Sequence, residues 1–298
     1  METDIAVSKS KKSFKISKYF LLGPAVLLML VFFIVPIILT FYFSFTDCAL
    51  TGNGSQVANF VGLKNYISLF KDTKVAASII NTLIFLVGSS LIGQQLMGFI
   101  IALCMKNKNA HFRRIIGISV LTGWVIPEII VAFCMMTFFG EHGTLNTILN
   151  ALHIPAVSWL YAHPMLSIII ANIWHGTAFS MLIFQAALDN VPREIEEAAT
   201  VDGANGFYKL IKITLPYIKD SIVTNMILNT LQTLGVFGLI YTMTGGGPGI
   251  KTTTLPILMY QQAFMNYQIG YGTAISMILL LIGICLSIFY TKAMKISN

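Results

Sequence analysis

Polar side chains break into long apolar runs at three places in this chain. One run contains Asn172, Trp174, His175, Gly176 and Thr177. A second contains Asn225, Asn229, Gln232 and Thr233, whose three- and four-residue spacing puts them on one helical face. In a third, Glu128 follows Pro127. Such groups are costly in hydrocarbon unless they pair with one another or line a watery path. Amides and hydroxyls serve both ends: they bond neighbouring helices at about 0.6 kcal/mol each, or they offer donors and acceptors to something passing. Glu128 admits three readings: a cavity lining, a pairing with His175 or a neighbouring amide, or proton exchange with His175. Structural pairing leads.

Other reactive-looking features carry less. Cys48, Cys104, Cys134 and Cys285 show no CxxC spacing and read as small hydrophobes, with no disulfide or metal site. The run Gly245-Gly246-Gly247-Pro248-Gly249-Ile250-Lys251-Thr252 nearly spells a phosphate-binding loop, but Ile250 stands where the second glycine is required and no strand precedes it. Asn53-Gly54-Ser55 matches a glycosylation sequon and reads as a turn. No residue set for catalysis and no cofactor site emerges.

The elements that hold these residues follow from composition. Of 298 residues, 56% are hydrophobic and 10% charged, with mean hydropathy +0.77; a soluble domain carries about a quarter charged. Six stretches are long enough to span a bilayer as helices: 19–43, 78–105, 115–139, 165–188, 221–243 and 271–290. Their length and lack of two-residue alternation exclude a barrel. The expected fold class is therefore an all-α polytopic membrane protein. The first stretch is too long, and lacks the cleavage site, for a signal peptide. Residues 1–18 form a basic tail, and 19–298 the membrane domain. With the N-terminus inside, fifteen of the nineteen Lys and Arg residues fall on the cytoplasmic side and four (Lys64, Lys71, Lys74 and Lys251) outside. That asymmetry predicts both termini in the cytoplasm. It also accounts for the net charge of +7 through anionic lipid, without nucleic acid.

One connection is unlike the rest. Residues 189–220, predicted cytoplasmic, hold six of the chain's twelve acids. Pro192 suits a helix start, Glu194, Glu196 and Glu197 suit its positive end, and Gly203 and Gly206 supply a stop and a turn. A second short helix from about Phe207 would set Phe207, Leu210 and Ile211 on one face. The two helices make either a hairpin on the headgroups or a knob that another protein grips.

Here the residues match a known pattern. Glu197-Ala198-Ala199, then Gly203, then Ile213-Thr214-Leu215-Pro216, resembles the EAA motif of ABC importer permeases. Further segments resemble the sugar-permease branch, near glycerol-phosphate, lactose, multiple-sugar and maltose-type subunits. They are Phe60-Val61-Gly62-Leu63-Lys64-Asn65-Tyr66, Asn81-Thr82, Gly143-Thr144-Leu145-Asn146, Thr244 to Pro248, and Gly270-Tyr271-Gly272-Thr273-Ala274. The resemblance covers nearly the whole chain from Tyr19.

It implies a type I importer permease of six spans that moves a carbohydrate across a bacterial inner membrane by alternating access. The expected partners are a second, homologous permease, two copies of an ATP-binding subunit that hydrolyses ATP, and an extracytoplasmic sugar-binding protein. Glu197, Ala198, Ala199, Gly203, Leu215 and Pro216 would couple to the ATPase. Gly176, Phe179, Asn225, Asn229, Gln232 and Thr233 would line the substrate path, where amides and hydroxyls bond sugar hydroxyls and aromatic rings stack on a pyranose. Two rival readings remain: a stand-alone secondary transporter with Glu128 and His175 as proton relay, and a non-transporting scaffold whose loop holds an enzyme.

Overall fold

The computed structural model describes residues 22–52 and 58–296. The basic tail, the first residues of the first predicted span and the Asn53-Gly54-Ser55 turn lie outside the described residues.

Among the described residues the architecture is helical, and the one extended pairing is an isolated bridge between Thr46 and Phe60. Four helices are long and apolar enough to cross a bilayer: Leu22–Ser44, Thr73–Met105, Pro164–Asp189 and Ile269–Lys292. These are the first, second, fourth and sixth spans. The third and fifth are each broken. In the third, Ala110–Val125 turns through 101° into the stretch from Glu128. In the fifth, Lys219–Leu234 turns through 50° into Gly238–Thr244. The first break falls at Pro127, whose ring cannot sit inside a continuous helix. The second falls at Gly235-Val236-Phe237, where glycine lowers the cost of leaving helical geometry.

The second span is also irregular. Its turns widen to π geometry over Leu86–Gln94 before regular helix resumes at Gln95. Such a wide turn inserts a residue and often marks a functional position.

Lipid tails are as apolar as leucine, so close packing rather than burial from water holds these spans together. Gly98 shows it: a Cβ there would overlap Ser180 and press on the backbone at Met181, so the second and fourth helices meet at van der Waals range. One buried cluster, including Phe85, Val131, Ile168, Leu239 and Ile240, joins the second to fifth spans on one side of the breaks. Another, with Ala102, Phe184, Leu188, Val191 and Ile218, seals the end that carries residues 189–220. The first span stays outside both and is exposed along its apolar length.

Candidate functional site

The loop starts where Pro192 caps a helix over Arg193–Val201. Glu194 and Glu196 lie in its first turn, where the helix dipole favours acids. Two ion pairs tie this region to the connection between the second and third spans. Lys106 pairs with Glu196, and Arg113 pairs with Asp189. The first is the more enclosed, with side chains 13% and 22% exposed. Thr214 adds a longer contact to the same Glu196 oxygen at 3.5 Å. The helix ends in a Schellman turn: Ala204 N–H donates to Ala199 C=O at 2.9 Å and Gly203 N–H to Thr200 C=O at 3.1 Å. That turn needs the positive φ of +79° at Gly203. Asn205 then caps the next turn through Tyr208 N–H at 2.8 Å.

What remains outward is a motif surface. Glu197 and Ala198 are exposed, while Ala199 packs inward. Val201 and Phe207 stand out at 88% and 72% exposure. A hollow of about 420 Å³ lies beside them, bounded by Asp202, Gly203, Asn205, Tyr208 and Ile213. Of the predicted apolar face, Phe207 and Ile211 are exposed and Leu210 is half-buried. Leu215 is half-buried and Pro216 exposed.

The second site lies where the two broken spans meet. A cavity of about 240 Å³ is lined by Gln94, Asn172, His175 and Gly176 on one side and by Trp124, Glu128, Gln232 and Thr233 on the other. The wide turn of the second span delivers Gln94 here. Its Nε2 donates to Asn172 C=O at 2.8 Å, and Asn172 Nδ2 donates to Ser89 Oγ at 2.8 Å. A Cβ on Gly176 would overlap the Gln94 amide, so Gly176 is the seat on which Gln94 rests. Glu128 Oε1 accepts Leu239 N–H at 2.9 Å and so joins the third span to the fifth just beyond both breaks. His175 Nε2 is buried without a partner.

The polar residues predicted from sequence therefore divide. Gly176, Gln232 and Thr233 line the cavity, and Phe179 packs on its Trp124 wall with ring centroids 6.0 Å apart. Asn225 and Asn229 turn elsewhere, donating to Gln95 Oε1 at 3.0 Å and Ser180 Oγ at 2.6 Å. They bond helix to helix. Glu128 pairs with a backbone amide of the fifth span and not with His175, and it also lines the cavity. Gln94 and Trp124 were not singled out from sequence. The signal for Gln94 was a Gln-Gln pair after Gly93 inside an apolar run.

Residues 94–293 match the family model of the binding-protein-dependent transport system inner membrane component. The chain belongs to this family. The permease is 33% identical over 282 residues to the trehalose/maltose transport system permease protein of Thermococcus litoralis, covering 92% of each chain. It is 31% identical over 278 residues to the sulfoquinovosyl glycerol transport system permease protein of Agrobacterium fabrum, covering 92% of this chain and 89% of that one. Its fold is that of a chain in a bacterial alginate ABC transporter crystallised with an alginate pentasaccharide-bound periplasmic protein. The TM-score is 0.81, with 22% identity and 98% of each chain covered. The six-span reading and the type I arrangement are thus confirmed, and this permease is a membrane-integral transport subunit.

Proposed function

We propose that this permease passes a sugar or oligosaccharide through the bilayer, using the cavity at Glu128 as part of the path and residues 189–220 as the contact for an ATP-hydrolysing partner. The observation that carries the reading is the concentration of open polar groups at the meeting of two broken spans. Amides, a hydroxyl and a carboxylate suit sugar hydroxyls, and Trp124 with Phe179 offers ring faces for a pyranose.

The exposed Glu197 and Ala198, the fixed turn at Gly203 and the apolar Val201 and Phe207 support docking of a soluble subunit on the loop. The distribution of Lys and Arg supports placing that loop and both termini in the cytoplasm. The resemblance of the loop to the EAA motif supports adding a second permease and two ATPase copies, and the binding-protein-dependent family supports an extracytoplasmic binding protein. The deciding experiment is reconstitution in proteoliposomes with those partners. Uptake should require both ATP inside and binding protein outside. Uptake by the permease alone, driven by a proton gradient, would overturn the reading. The cargoes named for similar proteins include trehalose or maltose and the acidic polysaccharide alginate. The charge class for this permease must therefore come from its own cavity.

A further inference from the structure

Among the described residues the cavity walls contain one acid, Glu128, and no lysine or arginine. Along the spans that form it, the nearest basic residues are Lys106, Arg114 and Lys219, each at least ten positions from the nearest cavity residue on its span. At 1.5 Å per residue that is roughly 15 Å of helix. Among the described residues, no lysine or arginine of these spans therefore sits beside Glu128, and the other titratable side chain in the wall is His175. Glu128 Oε1 is held by Leu239 N–H, which leaves Oε2 as an acceptor beside Gly238, where a Cβ would come within 3.2 Å of it. The Gln232 side chain is exposed next to it and supplies uncharged donors and an acceptor.

We propose that Glu128 is a specificity-determining residue that selects cargo by charge: the cavity takes neutral sugars and sugars bearing an amine, and rejects those bearing a carboxylate, sulfonate or phosphate. The argument rests on the cargo-path reading above. A unit charge brought within a few ångströms of a carboxylate that no lysine or arginine accompanies is favoured or opposed according to its sign. A neutral pyranose gains the hydrogen bond to Oε2 without either effect.

The test is a binding titration of the full chain in lipid nanodiscs near neutral pH. Trp124 serves as the fluorescent reporter, in a Trp159→Phe, Trp174→Phe background. Glucosamine, glucose and glucuronate share one ring and differ in charge. The expected order of affinity is glucosamine, then glucose, then glucuronate, with at least about tenfold between first and last. Glu128→Gln removes the charge and keeps an oxygen to accept Leu239 N–H, and it should bring the three within about threefold. Gln232→Lys, which adds a cation to the same wall without touching the Leu239 bond, should raise glucuronate above glucosamine. Equal binding of glucuronate and glucosamine to the parent chain, or an order unchanged in both variants, overturns the proposal and leaves the cargo path intact. Failure of all three sugars to bind overturns the cargo-path reading, and this proposal with it.

Discussion

The loop at 189–220 and the cavity at Glu128 are built on opposite plans. The loop is one contiguous stretch whose working surface points outward, and its inner face is tied down by Lys106 and Arg113. The cavity draws residues from four spans and exists only because two of them break and a third widens. A surface for another protein can be written locally, since it needs a rigid shape and a few exposed groups. A path through the bundle requires every backbone group at the breaks to find a partner, as Leu239 N–H finds Glu128.

If the loop acts through its shape and the cavity through its lining, variants should separate the two. The largest effect belongs to Gly203→Asp. Nothing lies within 4 Å of the added Cβ, so the membrane domain is undisturbed, but φ of +79° strains any L side chain and distorts the turn. Uptake should fall to background with membrane abundance unchanged and with loss of ATPase co-purification. Normal uptake and normal co-purification would break the comparison on the loop side.

Gly176→Ala comes next, on the cavity side. The new methyl overlaps the Gln94 amide, and overpacking of this kind costs about 1–3 kcal/mol. Thermal unfolding in detergent should fall accordingly, together with uptake.

Lys106→Met leaves Glu196 facing a partly enclosed space without its cation. The expected loss lies between exposed and buried pairs, about 1–2 kcal/mol. The exchanged pair Lys106→Glu with Glu196→Lys should recover part of it. A double-mutant cycle without coupling energy would mean that the loop is not clamped this way.

Asn229→Ala is the smallest, at about 0.6 kcal/mol, and should leave uptake near normal. Gln232→Ala should do the reverse, lowering uptake without moving the unfolding temperature. If Asn229→Ala proved the more harmful to uptake, the division between bonding and lining residues would fail.

How much could be read in advance follows the same division. The six spans were legible because hydropathy alone decides them, and the loop was legible because its turn demands glycine at one fixed spacing. Gly176, Gln232 and Thr233 were placed at the path, and Asn225 and Asn229 were placed there too. Helical spacing put the fifth-span residues on one face, but it cannot say which of them meets a neighbouring amide or hydroxyl. Gln95 and Ser180, the actual partners, sit on spans more than forty residues away in sequence. Trp124 escaped because its role depends on the break that follows it.

The widened turn at Leu86–Gln94 has a consequence for how this chain can change. Toward the Thr73 end of that span the buried positions include Ser78, Thr82, Phe85, Leu86, Ser89 and Ser90; toward the Met105 end they are Gln94, Gln95, Gly98, Ala102 and Met105. The wide turn lies between them and lets both halves face the bundle while holding a residue more than a regular helix would. Removing a residue from the regular helix on either side would turn the rest by about 100°. Gly98 would then leave Ser180, or Gln94 would leave Gly176. The segment can therefore exchange residue types far more readily than it can change its length.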